Sequence, residues 1–139
     1  MKIQRKASAV WTGTGKEGGG TLSTESGALK DTKYNYVSRF ETGPQTNPEE
    51  LVGAAHAGCF SMKLAFILQN NGFTPERIET SANVVLEDGA IREVHLKTKV
   101  KAQGLDQKQK LDELANEAKE TCPISKSLTA TKFVEAELG

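Results

Sequence analysis

The chain carries two cysteines, Cys59 and Cys122, and two histidines, His56 and His95. A thiolate is a nucleophile, a redox centre and a soft metal ligand. Two thiols with separate roles can reduce a peroxide. One attacks the peroxide oxygen and becomes a sulfenic acid, and the other condenses with it to a disulfide before further oxidation. The wide sequence separation of Cys59 and Cys122 suits this division, but it would suit any pair of cysteines. The same four side chains are also the inventory of a tetrahedral zinc site, with His56 and Cys59 on adjacent turns of one helix and His95 and Cys122 completing the set. That pattern lacks the usual paired-ligand loops and is weakly specific. A third reading makes Cys59 a small core hydrophobe.

The company Cys59 keeps weighs toward chemistry. The spacing predicts a helix from Asn47 to about Asn70. Asn47 can cap it, Pro48 suits the first helical position, Glu49 and Glu50 favour the positive helix end, and Asn71-Gly72 stops it. At 100° per residue, Glu49, His56 and Lys63 fall on nearly one line, with Cys59 about 60° away. The helix is otherwise apolar on most sides, through Leu51, Val52, Phe60, Met62, Leu64 and Phe66, and is expected to be buried. A polar seam on a buried helix marks an interface, a pocket or a site.

The elements around this helix read as α+β. Ala7–Trp11 and Thr21–Glu25 are predicted strands joined by a glycine-rich turn, and Tyr34–Phe40 a third. Residues 78–87 and 91–102 alternate as two strands around the Asp88-Gly89 hairpin signal. A second helix is expected over Gln107–Thr121, ending near Cys122-Pro123, and residues 130–137 alternate as a closing strand. Gly13-Thr14-Gly15-Lys16 has the wrong spacing for a phosphate-binding loop and reads as a hairpin turn.

Composition bounds the function. The 139 residues fit one domain spanning 1–139, and 18 basic residues balance 18 acidic ones. Zero net charge favours no polyanionic partner, so no nucleic acid is expected. Lys97, Lys99 and Lys101 alternate as one solvated strand face. No apolar signal segment follows Met1-Lys2-Ile3, and His56 and Lys63 interrupt the longest apolar stretch, so no membrane span and a cytoplasmic location are expected. Two cysteines in a reducing compartment are not expected to form a permanent staple.

Thr46-Asn47-Pro48-Glu49-Glu50-Leu51-Val52-Gly53-Ala54-Ala55-His56-Ala57-Gly58-Cys59-Phe60-Ser61-Met62 resembles the central-helix signature of the OsmC/Ohr family of thiol peroxidases. Thr24-Glu25-Ser26-Gly27, Ser38-Arg39-Phe40-Glu41, Gly72-Phe73-Thr74-Pro75 and Cys122-Pro123-Ile124-Ser125 resemble its other blocks, in order. His56-Ala57-Gly58-Cys59 is more similar to the OsmC branch than to Ohr. The resemblance implies an intertwined α+β homodimer, with long central helices wrapped by antiparallel sheets. It implies a peroxidase acting on organic hydroperoxides, with Cys59 the peroxidatic thiol and Cys122 the resolving thiol. Arg39 would stabilise the thiolate and orient the peroxide, and Glu49 would hold the arginine. No metal or organic cofactor is implied, and an external dithiol, such as a lipoylated protein, would reduce the Cys59–Cys122 disulfide. The alternative is a non-catalytic zinc- or small-ligand-binding domain on the same fold.

These implied roles raise a problem of distance. Glu49 and Cys59 are ten residues apart, about 15 Å along a straight helix. Either the helix breaks near Gly53 or Gly58, or Glu49 serves from a partner chain whose helix runs antiparallel alongside. Phe40, Phe60 and Met62 are near these residues in sequence and are candidates for an apolar approach to the thiolate.

Overall fold

Glycine decides the first hairpin. In the computed structural model, which describes residues 1–139, β1 (Ala7–Thr12) and β2 (Gly19–Thr24) pair antiparallel, with Trp11 opposite Gly20. A Cβ on Gly20 would come within 2.6 Å of both the Trp11 and Tyr34 rings. The missing side chain lets those rings approach to a centroid distance of 5.3 Å across the strand. β3 (Thr32–Tyr34) completes the three-stranded sheet.

The predicted third strand stops early. Asn35 is extended, and its Oδ1 accepts the Ser38 N–H at 2.8 Å, which starts a short helix, α1 (Tyr36–Phe40). Arg39 therefore sits on a helix rather than on the expected strand. An asparagine that can cap overrides the apolar alternation of the following residues. These elements form a compact unit over Met1–Leu51.

The long helix forms as expected, as α2 (Pro48–Asn70). Asn47 Oδ1 accepts the Glu50 N–H at 2.8 Å, and Gly72 at φ +85° turns the chain out of the helix. The helix is unbroken at Gly53 and Gly58. By length and composition alone it could cross a membrane, but Phe60, Leu64 and Leu68 are packed into a core.

Val52–Gly139 form the second compact unit. β4 (Thr74–Glu87) and β5 (Ala90–Gln103) make a long antiparallel hairpin. Its turn is the expected Asp88-Gly89, both at positive φ. α3 (Lys108–Thr121) and the short α4 (Pro123–Ser127) carry the chain to β6 (Thr131–Leu138). β6 pairs parallel with β5, so the sheet is mixed, order β4-β5-β6. The expectation of antiparallel sheets is corrected in this one pair, because a helical crossover returns the chain to the same sheet end. Val94, Leu96 and Val100 of β5 join Leu111, Leu114 and Ala118 of α3 in the core with the α2 residues. Lys97, Lys99 and Lys101 face solvent as predicted.

One expectation about α2 is corrected. The single chain buries Gly53, His56, Phe60, Leu64, Ile67 and Leu68 but leaves Ala55, Gly58, Met62 and Phe66 exposed. Met62 is 66% and Phe66 56% accessible. One sheet and one further helix cover only one face of a helix that is apolar nearly all round.

Candidate active site

Functional side chains gather in two groups, one in each compact unit. In Met1–Leu51, Arg39 is held at the start of α2. Ser38 beside it is buried; its Oγ accepts the Gln45 N–H at 2.9 Å, and its carbonyl accepts from Asn47 Nδ2 at 3.0 Å. Arg39 Nε and Nη2 donate to Glu49 Oε1 at 3.1 and 2.9 Å, and Nε also reaches Oε2 at 3.3 Å. The carboxylate fixes the guanidinium fork and leaves Nη1 without a hydrogen-bond partner in the chain. The guanidinium also lies 4.9 Å from the Phe40 ring centroid. Arg39 and Phe40 line a cleft of about 550 Å³ whose other walls include Trp11, Tyr34, Tyr36 and Lys16. Such a cleft is aromatic with two cations, Arg39 and Lys16, on its walls.

In Val52–Gly139, the two cysteines are neighbours and both are free thiols. Cys59 is partly buried on α2. Cys122 is fully buried and ends α3 while capping α4. Its Sγ accepts the Ser125 N–H at 3.4 Å, with Pro123 in the first helical turn. Ser125 Oγ lies 3.5 Å from Cys122 Sγ and 2.5 Å from His56 Nε2. His56 and Ser125 are both buried, and His56 Nδ1 has no hydrogen-bond partner.

Burial pushes the Cys59 thiol above its usual pKa; a hydrogen bond with the Ile124 backbone opposes this, the neighbouring Cys122 adds to it, and Lys63 pulls weakly the other way. Burial also pushes Cys122 upward, but the Ser125 hydroxyl and N–H, with Cys59 and the Ile124 backbone, outweigh it and leave this thiol lowered. Within one chain, then, the two neighbouring thiols are pushed in opposite directions, Cys59 up and Cys122 down. Burial first, and the charge of Lys132 second, lower the pKa of His56, so it is neutral near pH 7.

His95 goes elsewhere. Its ring stacks on Phe133 at 4.6 Å, with Nε2 3.6 Å from Glu93 on the open side of β5. No three His, Cys, Asp or Glu side chains converge on a common point, so the four-residue zinc set does not assemble. Phe60 is buried in the core and cannot line an approach, whereas Phe40 and Met62 are exposed. Ser125 was not singled out from the sequence. Its signal is Cys122-Pro123-Ile124-Ser125, a residue able to cap, then proline, which reads as a helix start as well as a helix end.

The chain as a whole is similar to known proteins. A family model described as OsmC-like protein matches residues 41–137. The chain is 44% identical to Peroxiredoxin OsmC of Escherichia coli (strain K12), over 99% of each chain. The chain belongs to the OsmC-like family. Glu49, Cys59, Cys122 and Ser125 lie inside the matched segment, and Arg39 lies two residues before it. Among solved structures, the OsmC-like protein from Mycoplasma pneumoniae shares the family fold at 12% identity, with a TM-score of 0.75 and 99% of each chain covered. The organic hydroperoxide resistance protein OhrB of Bacillus subtilis is 26% identical, with a TM-score of 0.64 over 99% of this chain and 98% of that one.

Proposed function

We propose that this OsmC-family chain is a cytoplasmic thiol peroxidase that reduces organic hydroperoxides to alcohols. The observation that carries the reading is the pairing of two free thiols, one partly exposed and one buried, in a chain 44% identical to a peroxiredoxin. Cys59, the accessible one, attacks the terminal peroxide oxygen. The O–O bond breaks, the alkoxide takes a proton and leaves as alcohol, and Cys59 becomes a sulfenic acid. Cys122 attacks the Cys59 sulfur, the S–O bond breaks, and water leaves. An external dithiol, such as a lipoylated protein, then reduces the Cys59–Cys122 disulfide. Neither step calls on a metal or an organic cofactor.

Cys59 must be a thiolate to begin, yet burial and Cys122 hold its proton on. A cation beside it would reverse this. Arg39, braced by Glu49 with Nη1 open, is the group to supply it. Because α2 is unbroken, Glu49 and Cys59 of one chain stay about 15 Å apart along its axis. We therefore assign Arg39 and Glu49 to the thiol of a second copy, in a homodimer built on the uncovered Ala55, Gly58, Met62 and Phe66 face of α2. A two-fold axis makes two equivalent sites. The aromatic cleft beside Arg39 fits the organic part of the peroxide.

Purified protein, tested for metal and assayed with several hydroperoxides and candidate dithiols, decides the reading. Metal-free protein that consumes hydroperoxide with a dithiol supports it. Stoichiometric zinc without peroxide consumption would make the chain a binding domain instead.

A further inference from the structure

Cys122 faces a difficulty in the resolving step. Its proton must leave before its sulfur can attack, and the residue is completely buried. Its side-chain hydrogen-bond partner is Ser125, whose Oγ is 3.5 Å from the sulfur. Ser125 is itself shut from water, and its Oγ reaches His56 Nε2 at 2.5 Å. His56 comes from α2, 69 residues away in sequence. A buried histidine needs its polar atoms matched, yet here one nitrogen is spent on a serine and the other has no partner. The roles assigned above leave this histidine unused.

We propose that His56 is a positioning and proton-accepting residue for disulfide closure, acting on Cys122 through the Ser125 hydroxyl. The inference rests on the resolving role of Cys122 proposed above. The Cys122 S–H proton passes to Ser125 Oγ as the Ser125 O–H proton passes to His56 Nε2. The Cys122 thiolate attacks Cys59 sulfur, the S–S bond forms, and the S–O bond of the sulfenic acid breaks. The departing hydroxide takes up the one proton that imidazolium gives back, and leaves as water. The sum is Cys59–SOH plus Cys122–SH giving the disulfide and one water, with no outside oxidant or reductant. The Ser125 N–H at 3.4 Å holds the sulfur in place through the step. Burial first, and the Lys132 charge second, keep His56 neutral, the form able to accept a proton.

Two variants test this in the full chain. Ser125→Ala removes one oxygen from the relay. His56→Gln keeps a hydrogen-bonding partner for Ser125 but supplies no base. Stopped-flow with one equivalent of cumene hydroperoxide separates Cys59 oxidation from disulfide closure. In both variants oxidation should keep its rate within about twofold, and closure should slow about 100-fold, the lower range of general acid–base contributions. Closure at the wild-type rate in His56→Gln overturns the proton-accepting role, because the sulfenic oxygen would then take the thiol proton directly. Should His56→Gln fail to fold, Ser125→Ala decides by the same criterion.

A second readout needs neither peroxide nor access to the buried sulfur. In reduced Cys59→Ser protein, adding His56→Gln should move the ultraviolet thiolate titration of Cys122 to higher pH. An unchanged titration overturns the relay even if the chain proves to reduce no peroxide. A shifted titration in a chain that consumes none would sustain the relay and sink the peroxidase reading alone.

Discussion

Arg39 grips the Glu49 carboxylate through Nε and Nη2, at 3.1 and 2.9 Å, across ten residues of sequence. Arg39 is 40% accessible and Glu49 13%, so the carboxylate is the more sheltered partner and the guanidinium is presented outward. If that cation activates Cys59, Arg39→Ala should lower kcat/KM about 100-fold, the usual scale for losing one preorganised charge donor. The alkylation profile of Cys59 should also move to higher pH. An unchanged profile would place Arg39 outside the thiol's surroundings.

The two cysteines should separate by step. Cys59→Ser should fold and lose peroxidase activity. Cys122→Ser should still form a sulfenic acid at Cys59, then stall or overoxidise, which mass spectrometry after one equivalent of peroxide would reveal. Wild-type turnover in either variant with a dithiol is incompatible with the assigned roles.

Specificity should follow the aromatic walls of the Arg39 cleft. Burying an alkyl tail contributes about 0.8 kcal/mol per methylene. Cumene or tert-butyl hydroperoxide should therefore show a higher kcat/KM than hydrogen peroxide. Equal values would mean that the organic part goes unrecognised.

A shared site can be rebuilt from broken chains. Glu49→Ala and Cys59→Ser homodimers should each be inactive. In a mixed dimer one site lacks both residues and the other is intact, so up to half the wild-type activity per mixed dimer should return. No recovery after confirmed subunit exchange would put Glu49 and Cys59 to work within one chain.

His56 should leave a mark on acid stability. Burial first, and Lys132 second, hold it below its ordinary 6.5. The unfolded chain then binds the proton more readily than the folded one. This contribution is fully present above about pH 6.5 and is lost as pH falls through the folded value. The melting temperature should drop between pH 7.5 and 5 in the wild type, and less steeply in His56→Gln. Parallel curves would show that the histidine charges freely in the fold.

Local signals wrote the long helix plainly: Asn47 and Pro48 started it, Asn71-Gly72 ended it, and Asp88-Gly89 set the β4–β5 turn. Each is a short-range backbone preference, readable without knowing the fold. The same is true of the Glu49, His56 and Lys63 seam, which needs only helical period. The sequence block around Cys59 likewise pointed to the OsmC-like family. Short-range reading failed where two preferences competed. Tyr34–Phe40 alternates like a strand, but the Asn35 cap turned it into the helix that carries Arg39. Only tertiary structure could bring Cys122 to Cys59, or seat Ser125 against a histidine 69 residues earlier, because packing and burial chose those partners rather than local propensity. Tertiary structure also parted His95 from the other three candidate ligands, since the strand alternation of β5 sent it to the open side. It left Ala55, Gly58, Met62 and Phe66 bare, because one three-stranded sheet and α3 cannot cover both faces of an apolar helix.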